Sequence, residues 1–129
     1  MAMQITFPGG VAVNAHLKNF EVATDQPETS GGNNSAPSPY ELFLASIGTC
    51  AGFFALRFCQ QRDLSTEGLG LSLDIERDPQ TRTLNKVKIE IQLPEGFPEK
   101  YQRAIIKATD QCAVKQAIIS PPEFEVTAA

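Results

Sequence analysis

The cysteines are the side chains in this sequence with the clearest capacity for chemistry. Cys50, Cys59 and Cys112 are an odd number of thiols at long spacings, unlike the dense disulfide framework of a small secreted domain. In a reducing compartment, cysteines serve either as core residues or as working thiols. On a helix, Cys59 would lie nine residues after Cys50 and therefore on the opposite side of the helix axis. We interpret it as a structural residue. We therefore expect any chemistry of the chain at Cys50 and Cys112.

Other kinds of site find little support in the sequence. His16 is the only histidine, so a metal site built from several histidines is excluded. The sequence contains no CxxC, no P-loop motif and no dinucleotide-binding GxGxxG. The carboxylates are spread along the chain without an obvious acid–base pair. The thiols therefore remain as the candidates for chemistry.

The segment around Cys50 has the start signals of a helix. Ser38 can cap it, Pro39 suits its first position, and Glu41 completes a capping box three residues after the cap. The helix is expected to run to Arg62, with apolar residues on every side. A helix that is apolar all round is enclosed by protein, and a chain of 129 residues struggles to wrap it completely. We therefore expect a partner subunit to cover part of it.

The same helix determines which side chains lie beside the Cys50 thiol. Positions three, four and seven away share its face, and they include Phe43, Phe53, Phe54 and Arg57. The phenylalanines are candidates for binding an apolar substrate, and Arg57 is a candidate for holding its polar head. Helical side chains lean toward the N-terminus of their helix, so Arg57 is expected to lean toward Cys50.

The rest of the sequence predicts a single α+β domain that spans residues 1–129. Alternation of apolar and polar residues predicts strands before the Cys50 helix, an antiparallel hairpin after it and a short strand at the end. A long polar loop precedes the Cys50 helix, and a second helix begins at Pro98 and carries Cys112 on its buried face. The strands are expected within residues 3–24, 69–93 and 124–126, and the loop at residues 25–37.

Charge and hydropathy limit the partners of the chain. It carries 11 Lys and Arg against 15 Asp and Glu, and its basic residues are scattered, so a nucleic-acid surface is not expected. The first residues show no charged region ahead of an apolar stretch, as a signal peptide would. The sequence also lacks the roughly 18 unbroken apolar residues of a membrane span. We therefore expect a cytoplasmic protein without a membrane partner.

Three stretches of the sequence resemble a known family. SPYELFLASIGTC at 38–50 is similar to the central-helix motif of the OsmC/Ohr family, the osmotically inducible and organic hydroperoxide resistance proteins. CAVKQAIISPPEFEV at 112–126 resembles that family's second cysteine and the terminal strand after it. TDQPETSGGNNSAPSP at 24–39 resembles a loop of the less-characterised OsmC-like branch. The similarity spans nearly the whole chain.

The resemblance implies a fold and an activity. Members of the family are intertwined α+β homodimers, with antiparallel six-stranded sheets around two long central helices. Characterised members reduce organic hydroperoxides with two cysteines and a thiol reductant, without metal or cofactor. By resemblance, Cys50 is the peroxidatic thiol and Cys112 is the resolving thiol that closes a disulfide with it.

Two departures from the family pattern leave a second interpretation open. The peroxidases use an Arg from the N-terminal region, but this chain has no Arg before Arg57, which is therefore a candidate to stabilise the thiolate instead. Tyr40 stands where the family motif has its Glu, and the next residue, Glu41, is better explained as a helix cap than as a catalytic group. The alternative is a non-enzymatic member that binds a small apolar ligand, with structural or redox-responsive cysteines.

Overall fold

The fold was analysed in a computed structural model that describes residues 2–129. The chain forms two compact units, Met1–Ala45 and Ser46–Ala129, and the boundary falls within its longest helix. Strands and helices are mixed in the order of an α+β fold, as predicted, while the single domain over residues 1–129 stays a prediction. The elements are β1 (Gln4–Gly9), β2 (Ala12–Leu17), β3 (Phe20–Thr24), α1 (Pro39–Gln61), β4 (Gly70–Arg77), β5 (Leu84–Gln92), α2 (Gln102–Thr109) and α3 (Ala113–Ile119).

The first unit contains a three-stranded antiparallel sheet in the order β1-β2-β3. Gly10 and Lys18, with φ of 58° and 53°, allow the chain to reverse between successive strands. The prediction of strands within residues 3–24 is confirmed, and there are three of them.

A loop organised around one carboxylate follows this sheet. Asp25 is only 2% exposed, and its carboxylate accepts hydrogen bonds from the backbone N–H groups of Gln26, Asn33 and Ser35 and from the Ser35 hydroxyl. These donors, the Ser35 hydroxyl first, lower the pKa of Asp25 to about 2. Gly32 lies so close to Gln26 that a Cβ there would stand 1.9 Å from its carbonyl oxygen. The predicted loop is therefore confirmed, and it is tightly folded.

Helix α1 begins with the predicted capping box. The Glu41 backbone N–H donates to the Ser38 hydroxyl at 3.2 Å, and the Ser38 N–H donates to the Glu41 carboxylate at 3.0 Å. The Ser38 backbone N–H, and after it the Ser38 hydroxyl, lower the pKa of the Glu41 carboxyl. The helix is not enclosed on every side within this chain, since Phe53 is 55% exposed.

By length and composition alone, α1 qualifies as a membrane span, with a mean hydropathy of 1.7 over its most apolar window. The core helix of a globular protein meets the same criterion. Several of its residues are buried against the rest of the second unit, which agrees with the core-helix interpretation. These are Ile47, Ala51, Ala55, Phe58 and Cys59.

The second unit is built on an antiparallel hairpin of β4 and β5. Its apolar residues lie opposite one another, as in the pair Leu73 and Ile89, while the opposed charges of Asp74 and Lys88 pair in register on the other face. The Asp78 carboxylate closes the turn by accepting from two backbone N–H groups. The core of the unit is centred on four buried side chains, with α1 and α2 residues meeting in one cluster. They are Ala55, Phe58, Cys59 and Ile105.

The second predicted helix is interrupted. It begins after Pro98 with a 3-10 turn at Glu99–Tyr101, but α2 ends at Thr109, and a separate helix α3 starts beyond Cys112. Cys112 has an extended conformation, with φ of −55° and ψ of 127°. The prediction that Cys112 lies on a helix face was therefore wrong, because the helical spacing that carried it does not reach past Thr109. Its burial was predicted correctly, since Cys112 is 2% exposed.

The predicted strand at the C-terminus is absent from the described residues. Residues 121–129 have no regular secondary structure, and Phe124 and Val126 are 85% and 93% exposed. Alternation alone does not make a strand, because its backbone groups need a neighbouring strand to pair with. No strand of residues 2–129 pairs with this segment.

Candidate active site

The thiol of Cys50 accepts hydrogen bonds from the chain around Cys112. The backbone N–H of Val114 is the largest cause that lowers the Cys50 pKa below its ordinary value. Burial opposes the shift, whereas the Cys112 thiol and the backbone N–H of Ala113 add to it. Each donor stabilises the thiolate more than the thiol, because the charged sulfur is the better acceptor. Cys50 is therefore the cysteine whose surroundings favour a nucleophilic thiolate.

The pKa of the Cys112 thiol is shifted in the opposite direction. Burial is the main cause that raises its pKa, and the neighbouring Cys50 sulfur raises it further, while the N–H of Lys115 lowers it. Its sulfur lies 3.5 Å from the Lys115 backbone nitrogen, as a cap on α3, and 3.9 Å from the Ile47 carbonyl oxygen. The pair therefore combines a thiol whose pKa is lowered with one whose pKa is raised. All three cysteines are free thiols.

The donors to Cys50 arise from the start of α3. The first N–H groups of a helix have no partner within it, so they are available to an outside acceptor. Ala113 and Val114 are the first two residues of α3, and Cys112 is its cap. Sequence reasoning considered only the helix that carries Cys50 and so missed these two residues. The signal that could have found them is the stretch of residues 113–119 after Cys112. It has the length of a short helix and is followed by Ser120 and Pro121, and proline commonly follows the end of a helix.

Cys59 takes no part in this site. It is fully buried in the core cluster, and burial raises its pKa while Arg62 lowers it. Its predicted structural role agrees with this burial.

The other predicted site residues lie in different surroundings. The Arg57 guanidinium donates to the Gln60 side chain at 3.0 Å, toward the C-terminus of α1 rather than toward Cys50. Phe53 and Phe54 pack edge to face and line a groove with Arg57, and Phe43 contacts Tyr40. The structure therefore brings Cys50 and Cys112 together but does not place Arg57 among the groups that act on the Cys50 thiol.

A cavity of about 600 Å³ is lined in part by Cys112. Its wall is mainly aliphatic, from β5, α2 and α3, and Cys112 contributes its thiol. The ion pair of Asp110 and Lys115 lies at its edge. An apolar cavity with a few polar groups is the common form of a small-molecule site. Within residues 2–129, no group of three or more His, Cys, Asp or Glu side chains is arranged to hold a metal ion.

Comparisons with known proteins give the fold a family. A profile of the family described as OsmC-like protein matches residues 32–127. No curated protein matches the chain. A Psychrobacter arcticus 273-4 protein assigned to osmotic stress induction and detoxification response has a similar structure, with a TM-score of 0.76, 22% identity and coverage of 91% of this chain and 87% of that one.

Two further solved structures are similar over the same extent. An OsmC-like protein from Mycoplasma pneumoniae has a TM-score of 0.73 at 11% identity, with 93% of this chain and 87% of that chain covered. An organic hydroperoxide resistance protein OsmC from Legionella pneumophila has a TM-score of 0.57 at 15% identity, with 91% and 87% covered. At these identities the structures establish the shared fold, and the profile spans most of the chain. The chain therefore belongs to the OsmC-like protein family.

Proposed function

We propose that the protein reduces organic hydroperoxides with Cys50 as the attacking thiol and Cys112 as the resolving thiol. The observation that carries the proposal is the position of the Cys112 sulfur against α1, 3.9 Å from the Ile47 carbonyl oxygen and near enough to Cys50 for each thiol to shift the pKa of the other. The N–H groups of Ala113 and Val114 also lower the pKa of Cys50. Those donors supply the thiolate stabilisation for which the family's peroxidases use an Arg. A structural neighbour named for organic hydroperoxide resistance supports the same class of substrate.

The proposed reaction has two steps. The Cys50 thiolate attacks the outer peroxide oxygen, the O–O bond breaks, and the alkoxide leaves as an alcohol after taking a proton, so that Cys50 becomes a sulfenic acid. Cys112 then attacks that sulfur, and water leaves as the Cys50–Cys112 disulfide forms. A thiol or dithiol reductant returns both cysteines to thiols and supplies the two electrons that the peroxide consumed.

Intact mass after one equivalent of cumene hydroperoxide tests the proposal. The wild type is expected to lose two hydrogens, and peptide mapping is expected to place a disulfide between Cys50 and Cys112. Cys59→Ala is the matched control, because it removes a thiol outside the site and should form the same disulfide. Unchanged thiols in the wild type would contradict a peroxidase function.

The second candidate is a protein that binds a small apolar ligand without catalysis. The aliphatic cavity of about 600 Å³ beside Cys112 favours it, since burial of apolar surface would drive binding there. Two results would favour this candidate over the first: a Cys50 thiol that does not react with cumene hydroperoxide, and saturable binding of cumyl alcohol, the alcohol that the peroxide would yield.

We further propose a cytoplasmic homodimer. Large apolar side chains that stand exposed on this chain would be covered by a second copy, since exposed apolar patches mark interaction surfaces. Phe7, Phe20, Ile106, Ile119, Phe124 and Val126 are each more than half exposed. Sedimentation of the protein at micromolar concentration tests the assembly, and a monomer there would contradict it.

A further inference from the structure

Residues 110–112 turn the chain between α2 and α3, and they carry the second thiol of the candidate site. The end of α2 is anchored, since the N–H of Asp110 donates to the Ile106 carbonyl at 3.0 Å. The start of α3 is anchored as well, since the N–H of Gln116 donates to the Cys112 carbonyl at 3.0 Å. The direction of α3 relative to α2 therefore depends on the backbone of the residues between them, where Cys112 is extended.

A continuous helix is the conformation that competes with this turn. Residues 99–120 contain neither glycine nor proline, so no residue type there enforces a break. The Thr109 hydroxyl, which donates to the Ile105 carbonyl at 2.7 Å, is a bond that bends helices only slightly. A contact that exists only in the bent chain would therefore join the burial of Cys112 in favouring the turn.

The ion pair of Asp110 and Lys115 is such a contact. It joins the residue that follows α2 to the third residue of α3. In a continuous helix, residues five apart are rotated by about 140° round the axis, and their side chains do not face each other. The backbone N–H of Lys115 also donates to the Cys112 sulfur at 3.5 Å, so Lys115 holds the turn through both its side chain and its backbone.

The signs of the two charges indicate that they serve each other and not the helix ends. A helix C-terminus favours a cation and an N-terminus favours an anion, but acidic Asp110 follows α2 and basic Lys115 lies in the first turn of α3. Each charge is thus unfavourable to its own helix and is stabilised by its partner across the turn. Glu90 of β5 is a further carboxylate that lines the same cavity, but the Lys115 ammonium pairs with Asp110.

We propose that the Asp110–Lys115 ion pair positions the two thiols of the candidate site, because it selects the turn over a continuous helix and so holds the Cys112 sulfur against α1. Both are positioning residues, since neither side chain is among the groups that shift the pKa of Cys50. This role rests on the proposed function, while its test measures the thiol without a peroxide. The Lys115 and Asp110 side chains are 39% and 66% exposed, so the effects expected are modest.

Alkylation of Cys50 by iodoacetamide, followed by peptide mass across pH, tests the positioning role. Asp110→Asn and Lys115→Gln each remove the ion pair, so both should shift the profile to higher pH and slow alkylation near neutral pH by about threefold. The reversed double variant, Asp110→Lys with Lys115→Asp, restores an ion pair and is expected to return the profile to that of the wild type. Glu90→Gln, which removes a carboxylate outside the pair, should match the wild type as well.

A single variant that keeps the wild-type profile would overturn the proposal, as would a reversed double variant that behaves like the single ones. A shift to lower pH in Asp110→Asn would also overturn it, since the released Lys115 ammonium would then act on the thiol directly. If Cys50 does not react with cumene hydroperoxide but the alkylation profiles shift as expected, the proposed function fails and the positioning role stands. Circular dichroism and urea unfolding establish that each variant is folded.

Discussion

The thiols of Cys50 and Cys112 are neighbours, and their pKa values are shifted in opposite directions. The pKa of Cys50 is lowered, chiefly by the backbone N–H of Val114, while the pKa of Cys112 is raised, chiefly by burial. A lowered pKa favours the thiolate of Cys50 and a raised pKa favours the protonated thiol of Cys112, as the proposed attacking and resolving roles require.

Removal of one backbone donor should raise the pKa of Cys50. Ala113→Pro deletes an N–H at the first position of α3, where proline is well accommodated, and Cys112 already has the extended conformation that precedes proline. The rate of Cys50 alkylation by iodoacetamide, followed by peptide mass across pH, should rise at higher pH than in the wild type. Ala113→Gly keeps the N–H and should not shift the profile. Equal profiles for all three proteins would exclude this donor from thiolate stabilisation.

Loss of the resolving thiol should expose Cys50 to overoxidation. In Cys112→Ser, excess cumene hydroperoxide is expected to carry Cys50 from sulfenic to sulfinic acid, because no thiol is left to close a disulfide. Intact mass should show the gain of two oxygens, whereas the wild type should stop at the disulfide. A wild type that overoxidises as readily as Cys112→Ser would mean that Cys112 does not resolve the intermediate.

Arg57 should have little effect on the acidity of Cys50. Its guanidinium donates to Gln60 and is not among the groups that lower the Cys50 pKa. The pH profile of Cys50 alkylation in Arg57→Gln is therefore expected to match that of the wild type. A profile displaced to higher pH would instead support the thiolate-stabilising role that the helical spacing of these two residues predicts.

Asp25 should make the free energy of unfolding depend on pH in the acidic range. Its pKa falls from 3.8 to about 2 on folding, so the folded chain binds fewer protons than the unfolded chain. Its stabilising contribution is complete above pH 3.8 and is lost as the pH falls toward about 2. Urea unfolding of the wild type and Asp25→Asn should differ most near neutral pH and converge through this range. A difference independent of pH would contradict the ionised, hydrogen-bonded Asp25.

Gly32 should tolerate no side chain. A Cβ there would lie 1.9 Å from the Gln26 carbonyl oxygen. This oxygen belongs to the backbone of the same loop, so it cannot move aside as the end of a flexible side chain could. Gly32→Ala is expected to lower the free energy of unfolding by about 1–3 kcal/mol. Gly52→Ala is the control, since nothing lies within 4 Å of its added methyl and alanine favours the helix by about 0.5–1 kcal/mol. Equal stability of the two variants in urea unfolding would contradict the close packing at Gly32.

Local signals in the sequence determined the parts of the fold that depend on near neighbours. The capping box of Ser38 and Glu41 defined the start of α1, and strict alternation defined the hairpin of β4 and β5. The likeness of the Cys50 and Cys112 segments to one family was also readable, and the family profile confirms it. Each of these features is set within a few residues of chain, where steric and hydrogen-bonding preferences act directly.

Only the tertiary structure decided how the thiol is activated. The N–H groups of Ala113 and Val114 reach Cys50 because α2 ends early and α3 begins beside α1, and no local pattern reports such a contact between distant segments. Helical spacing also could not show that Arg57 pairs with Gln60, or that the residues around Phe124 find no strand within the described chain. The sequence thus identified Cys50 and Cys112 as the candidate reactive cysteines. The folded chain determined the direction in which the pKa of each thiol is shifted, because a pKa depends on the donors and the burial that packing supplies.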